Sequence, residues 1–379
     1  MHLFSDEQKL LITTVENFAA KKLKPKAMDV DETEGFNQEA FPEMGALGLL
    51  GVTIDPEYGG SGLGCLEATL IMEKLGEHCA STTLSYLAHS ILCVNNIHEN
   101  ASDAQKKKYL PKLASGEWIG GMAMTEPGAG SDAVGMQTKA VKKGTKYLLT
   151  GTKTFITNGP HADVFVVYAR TGNAKKELST FIVEKNFPGF KVGKRLHKLG
   201  MRGSPTSELV FDNCEVPQEN LVGKENDSVS HMMKNLNIER ITISGISLGI
   251  AEACVKYVAG YAQERERFGK AIAEFQMVQE RIAEMATNLE AGRALTYAAA
   301  RAYDRGEGGM DLGAKSKLFT AQMATKAGLD SIQLLGGYGY MKEYPVERFL
   351  RDAKLMEIGA GTNEVMRIIL AKQLLNLNA

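Results

Sequence analysis

A chain of 379 residues, 44% of them apolar and 23% charged, is long enough to bury the cores of two or three domains. Its 44 basic against 45 acidic side chains leave a net charge of −1, which argues against nucleic acid or an anionic membrane as partner. Five scattered cysteines without Cys-x-x-Cys, and seven histidines without ligand spacing, give no disulfide framework and no metal site to expect.

Ser5-Asp6-Glu7-Gln8 reads as a helix start, and apolar residues at Leu10, Leu11, Val15, Phe18 and Ala19 carry a predicted helix over 3–27. Residues 1–20 lack the apolar centre of a signal peptide. No apolar run of about 18 residues predicts a membrane-spanning helix. The expected location is a bacterial cytoplasm or, for a processed form, the mitochondrial matrix. Further helices are predicted at 38–48, 64–77, 81–99 and 103–115, making 1–117 an α-helical domain. From Trp118 the texture changes to short alternating runs such as Val164–Tyr168, Thr180–Val183 and Glu208–Phe211, set between turns at Gly144, Asn158-Gly159 and Pro188-Gly189. That spacing predicts an antiparallel β domain over 118–225. Helical periodicity returns at 226–264, 272–305, 311–335, 346–352 and 363–376. Frequent alanines there (Ala283, Ala286, Ala291, Ala294, Ala298) permit close packing, so 226–379 is predicted to be a helical bundle. The fold class is α+β.

Several stretches could carry chemistry. Met124–Asp132 joins two glycines, a proline and the hydroxyls of Thr125 and Ser131 in a loop whose backbone can approach a ligand. It is neither a Walker loop nor a Rossmann fingerprint. Lys153–Gly159 is either a hairpin with Phe155 in the core or an aromatic presented to a ligand. Arg265–Lys270, read as a helix ending at Gly269, offers cations that suit a helix C-terminus or a diphosphate, with Gln276 nearby. Gln333–Tyr340 and Arg351–Val365 are glycine-rich joints, the second restarting as a helix capped by Thr362.

Together, Thr125–Asp132, Phe155–Gly159, Arg265–Gly269, Gln333–Tyr340 and Arg351–Glu364 resemble the acyl-CoA dehydrogenase family over essentially the whole chain. The resemblance implies an N-terminal helical domain, a middle β domain and a C-terminal four-helix bundle. It implies FAD as cofactor, an acyl-CoA substrate, electron-transferring flavoprotein as electron acceptor and a homotetramer. By the same resemblance Met122, Met124, Thr125, Gly130, Ser131, Phe155, Ile156 and Thr157 line the flavin ring, and Ser131 also faces the CoA portion of the substrate. Arg265, Gln276, Gln333, Leu334, Leu335, Gly336 and Gly337, typically from a neighbouring subunit, hold the diphosphate and adenosine. Thr362, Asn363 and Glu364 complete the flavin site.

The family's reaction removes a proton from Cα of an acyl thioester while the flavin accepts a hydride from Cβ. The protein must therefore supply a base at Cα and hydrogen-bond donors at the thioester oxygen. Most members carry the base in Tyr-Glu-Gly-Thr. This chain has Gly359-Ala360-Gly361-Thr362, and Ala360 cannot accept a proton. The protein is then an inactive acyl-CoA binder, or Glu357 or Glu364 substitutes, or the base comes from elsewhere. Glu239 is a candidate: Leu236, Ile238, Ile241, Ile243 and Ile246 surround it along one helix and would desolvate a carboxylate. A solvated Glu239–Arg240 pair is the alternative.

The isovaleryl-CoA branch of the family is similar at both places, with Glu in a Leu-x-x-Glu-Arg helix and Gly-Ala-Gly-Thr in the loop. That resemblance makes Glu239 the base and implies substrate contacts from Asn237, Ile238, Arg240, Gly359, Ala360 and Gly361. The Ala360 N–H would bind the thioester oxygen together with a flavin hydroxyl. Small side chains at 359 and 360 make room for a branched acyl group. Two positions depart from that branch: Asn237 stands where Asp is usual and Ser230 where Tyr is usual, which puts the CoA contacts in question.

Overall fold

The computed structural model describes residues 4–307 and 309–377. Positions 1–3, 308 and 378–379, which include the start of the helix expected at 3–27 and the ends of the first and third expected domains, lie outside the described residues.

The first segment is helical: α1 (Asp6–Phe18), α2 (Ala27–Glu32), α3 (Ala40–Ala46), α4 (Cys65–Leu87), α5 (Asn96–Asn100) and α6 (Asp103–Ala114). Ser5 and Gln8 close a capping box on α1, as Ser102 and Gln105 do on α6. The expected single helix over 3–27 loosens into a π turn at Ala19–Leu23 and a 3₁₀ turn at Lys24–Lys26. Pro25 has no N–H for the next helical bond, so the regular helix cannot continue. The two helices expected at 64–77 and 81–99 are present: the span α4 is broken at Cys79, whose φ −155° and ψ 91° are not helical, and the second part runs through a π stretch, Ala88–Asn95, into α5.

The middle sheet comprises β1 (Gly120–Ala123), β2 (Lys139–Lys143), β3 (Lys146–Thr157), β4 (Val164–Arg170), β5 (Leu178–Glu184), β6 (Phe190–Arg195), β7 (Thr206–Pro217) and β8 (Leu221–Val222). Its order is β6-β7-β3-β2-β4-β5-β8, with β1 beside β4. Most pairs are antiparallel, as expected. The exceptions are β1, parallel to β4, and one parallel β2–β4 contact through Lys139 and Arg170. A long connection separates β1 from β4, which a parallel pair requires.

The third segment holds α7 (Ser228–Glu264), a small hairpin of β9 (Glu266–Arg267) and β10 (Lys270–Ala271), then α8 (Gln276–Asp304), α9 (Met310–Leu335), α10 (Val346–Met356) and α11 (Asn363–Leu374). The expected helix end at Gly269 is corrected: α7 stops at Glu264, and Phe268 (φ 54°) and Gly269 (φ 78°) form the hairpin tip. Two consecutive left-handed residues are what a two-residue hairpin turn needs. Helices α7, α8, α9 and α10 pack together, with α11 on α9.

Helix α7 also lies along α4, so the first and third segments share a core. Glycines make that crossing close: a methyl at Gly245 would stand 2.5 Å from the Thr69 carbonyl oxygen, and one at Gly249 2.4 Å from that of Glu73. From the far end of α8, Asp304 accepts the Cys65 and Leu66 N–H groups at 2.6 and 3.1 Å, capping α4 across the fold. By length and composition α7 could cross a bilayer, although it holds no unbroken apolar run of that length. However, 78% of its most apolar window is buried inside the fold, which makes it the central core helix.

His89 ties the helical segment to the sheet. Its Nδ1 accepts the Gly120 N–H at 3.0 Å and its Nε2–H donates to the Leu113 carbonyl at 3.0 Å, so the ring must be neutral. Burial lowers its pKa to about 4. Between about pH 6.5 and 4 the unfolded chain therefore binds more protons than the folded one, and stability falls as pH falls through that window. The shift corresponds to roughly 3 kcal/mol by pH 4. Thermal unfolding followed from pH 7 to 4 should show a steeper decline for the wild type than for His89→Gln; parallel curves would contradict this role.

Candidate active site

Glu239 projects from the middle of α7 and is 6% exposed. Its Oε2 has no hydrogen-bond partner. Burial pushes the carboxyl up to about 7, against the pull of Arg240 and Lys317. The same stretch carries other buried polar atoms without partners: Asn235 Oδ1, Asn237 Oδ1 and Arg240 Nη1. So many on one and a half turns of helix call for a ligand or ordered water. Met122 reaches this group from β1, its sulfur 3.7 Å from Asn235 Nδ2.

Facing Glu239's helix is the joint between α10 and α11. Gly359 N–H bonds to the Leu355 carbonyl at 2.8 Å, and Asn363 N–H to that of Glu357 at 2.9 Å. Thr362 Oγ1 caps α11 by accepting the Val365 N–H at 3.3 Å. Between these anchors Ala360 (φ 54°) and Gly361 (φ 91°) are both left-handed, a strained arrangement for an alanine. Among the described residues the Ala360 N–H finds no acceptor. The loop carbonyls are held by side chains: that of Ala360 lies 3.5 Å from Arg240 Nε, and that of Gly361 accepts from Lys317 Nζ at 2.5 Å.

The alternative carboxylates are already engaged. Glu357 pairs with Lys354 at 2.9 Å; partial burial would raise its pKa, but bonds from Thr325 and Lys354 hold it low. Glu364 is exposed and held low by its own backbone N–H and by Thr362. Asp352 is buried and pushed up to about 6, but it accepts the Met201 N–H and braces that loop against α10.

On the sheet side, Lys153 and Glu126 form a buried pair at 2.9 Å. Glu126 also accepts the Gln137 and Thr138 N–H groups, and Lys153 donates to the Met124 carbonyl at 3.0 Å. This clamp holds the loop that carries Thr125, Gly130 and Ser131. Methyls built at Gly128 or Gly130 would meet nothing within 4 Å, so the loop faces open space. Phe155 is not in the core: it sits at a bulge of β3 with φ 58° and is 68% exposed. A bulge re-aims one side chain in this way. Thr157 is partly exposed two residues on, whereas the Ile156 side chain enters the core.

The remaining expected residues gather elsewhere. Arg265, Leu334, Leu335, Gly336, Gly337 and Tyr338 line a cleft of about 430 Å³. The Arg265 guanidinium lies 4.9 Å from the centre of the Tyr338 ring. Methyls at Gly336 or Gly337 would again meet nothing within 4 Å. Gln276, opening α8, and Gln333, near the end of α9, are exposed. Among the described residues no hydrogen bond joins this cleft to the surroundings of Glu239.

Three features escaped the sequence reading. Lys317, 2% exposed, was signalled by its spacing from the buried Gly313, Thr320, Ala321 and Ala324 along α9. The Lys153–Glu126 clamp has no local signal, because Glu126 lies in the loop after β1 and Lys153 on β3, far apart in sequence. A second cleft, of about 630 Å³, is lined by Lys139, Arg170 and Lys175, and Lys175 pairs with Asp132 of the glycine loop at 2.9 Å. Glu16, Glu77 and His78 also lie close together, but Lys256, 2.6 Å from Glu77, and Lys74, 3.4 Å from it, already balance their charge.

Comparison with known proteins agrees with this architecture. Residues 5–117, 121–214 and 229–375 match the acyl-CoA dehydrogenase N-terminal, middle and C-terminal domains. The chain is similar to the mitochondrial isovaleryl-CoA dehydrogenase of Pongo abelii, 47% identical over 97% of this chain and 88% of that protein. A solved chain described as electron transferring flavoprotein of Acidaminococcus fermentans is 40% identical, with a TM-score of 0.96 over 98% of each chain. Butyryl-CoA dehydrogenase from Megasphaera elsdenii is 36% identical, with a TM-score of 0.95 over 98% of this chain and 99% of that one. The fold and the site define a flavoprotein oxidoreductase that uses FAD. The chain belongs to the acyl-CoA dehydrogenase family, and its reaction is acyl-CoA dehydrogenation.

Proposed function

We propose that this enzyme oxidises a short branched acyl-CoA, isovaleryl-CoA foremost, to the 2-enoyl thioester, with Glu239 as the base. The observation that carries this reading is a buried carboxyl with an unpartnered oxygen, on the helix whose Arg240 reaches the loop of the left-handed Ala360. A carboxyl with a pKa of about 7 is poised to take a proton near neutral pH. The Ala360 N–H would donate to the thioester oxygen as negative charge develops there. Asn235, Asn237 and Arg240 offer unpaired atoms to the polar thioester and pantetheine portion, and Lys139 and Lys175 offer charge to the CoA phosphates. Gly359 and Ala360 leave space where a branch would lie.

The residues fit FAD: open glycine backbone at 128, 130, 336 and 337 and an exposed, strained Phe155 suit a large planar ligand with phosphates. Met122, Met124, Thr125, Ser131, Phe155, Thr157 and Thr362 would hold the ring system. Arg265, Gln276 and Gln333–Gly337 of a second copy would hold the diphosphate and adenosine, which makes the enzyme a homo-oligomer, a homotetramer by the family resemblance. When bound, FAD supplies acceptance of the hydride from Cβ. We assign electron-transferring flavoprotein as the physiological acceptor, a reading supported by the Acidaminococcus relative.

A panel of acyl-CoA substrates tests the acyl preference. Isovaleryl-CoA should give the highest kcat/KM, above butyryl- and octanoyl-CoA by at least about tenfold, since one misplaced methyl in a pocket is worth roughly 1–3 kcal/mol. The butyryl-CoA dehydrogenase likeness favours a straight short chain as the second reading, and a panel led by butyryl-CoA would establish it instead.

A further inference from the structure

We propose that Lys317 is a positioning residue: it fixes the Ala360 amide through the Gly361 carbonyl and supplies the positive charge that keeps Glu239 competent as a base. The inference rests on the function proposed above. Ala360 and Gly361 are consecutive left-handed residues, and among the described residues no backbone hydrogen bond reaches either carbonyl. Only two side chains do. Arg240 Nε stands 3.5 Å from the Ala360 oxygen, a weak contact, whereas Lys317 Nζ is 2.5 Å from that of Gly361 and charge-assisted. The lysine therefore holds the loop more firmly than the arginine. It crosses from α9, where its neighbours Gly313, Ser316, Thr320 and Ala321 are small and buried and give it no other partner.

The charges around Glu239 are few. Arg240 lies next to it on α7, Lys317 faces it from α9, and Tyr168 approaches from β4. Glu357 at the end of α10 and Glu364 at the start of α11 act on Lys317. Burial lowers the Lys317 pKa to about 8, with Glu239 opposing, so the ammonium is charged at neutral pH. A cation there favours the carboxylate of Glu239; its loss must raise the pH at which the base becomes available.

The test uses the FAD-loaded enzyme and a 3-thia acyl-CoA, which has an α-proton but no β-hydride to give. Exchange of that proton into D₂O is followed by NMR against pH for the wild type, Lys317→Met, Lys317→Gln and Lys317→Arg. Lys317→Met should move the acidic midpoint up by about one pH unit and slow exchange above it roughly ten- to hundredfold. Lys317→Gln keeps a donor without the charge, so its midpoint should rise with a smaller loss of rate; Lys317→Arg should restore the wild-type midpoint. A midpoint unmoved in both uncharged variants overturns the inference, and Lys317→Gln decides the matter if Lys317→Met does not fold. Glu239→Gln separates this from the underlying reading. Wild-type exchange in Glu239→Gln removes the base itself, whereas silence there with an unmoved midpoint in the lysine variants removes only Lys317.

Discussion

Glu239→Gln should fold, retain FAD and bind acyl-CoA, yet lose roughly 10²–10⁴ in kcat, the range a positioned general base contributes. The substitution preserves size and removes only proton affinity. In the wild type kcat/KM should fall as pH drops through about 7, because only the carboxylate accepts a proton. The variant should lack that limb. Wild-type turnover in Glu239→Gln would return the role to Glu357 or Glu364, whose engaged, lowered carboxyls make them weaker candidates. Placing glutamate at position 360 in the variant should recover part of the rate, with straighter substrates favoured because the branch space is filled.

Lys153→Met should destabilise the protein by about 3 kcal/mol or more, the cost of leaving one member of a buried ion pair behind. Lys153 is 0% exposed and holds Glu126 at 2.9 Å. The two backbone N–H groups on Glu126 soften the loss, which places the effect near the lower end of the usual range. Because the clamp carries the 125–131 loop, the variant should also release FAD more readily. A double variant, Lys153→Met with Glu126→Gln, should cost less than the two single changes combined. Denaturation midpoints and FAD content after gel filtration measure both effects; an unchanged midpoint in Lys153→Met would show that the pair does not brace the loop.

The helix, sheet, helix succession was legible because it is written in local period: 3.6 in the outer segments and 2 in the middle one. The apolar surroundings of Glu239 were legible for the same reason, since Ile238, Ile241, Ile243 and Ile246 are all buried, but the pattern left a solvated Glu239–Arg240 pair open, and the family resemblance was what pointed to this residue. What stayed hidden depends on distant partners or on backbone strain. Lys317 falls on the buried stripe of α9, but its partner is hidden until the loop before α11 is placed beside it. Phe155 alternates as an ordinary strand residue, and only the slip in register between β3 and β7 turns it outward. The shared core of α4 and α7 leaves its trace in Gly76, Gly245 and Gly249, glycines that a helical pattern alone would count as weaknesses.

The most direct measurement is an anaerobic absorbance titration of the purified yellow protein at 450 nm. With isovaleryl-CoA the flavin band of the wild type should bleach within a single turnover, while Glu239→Gln binds the same thioester and stays yellow. A wild-type protein that binds isovaleryl-CoA without bleaching, or a Glu239→Gln variant that bleaches at the wild-type rate, would contradict the account.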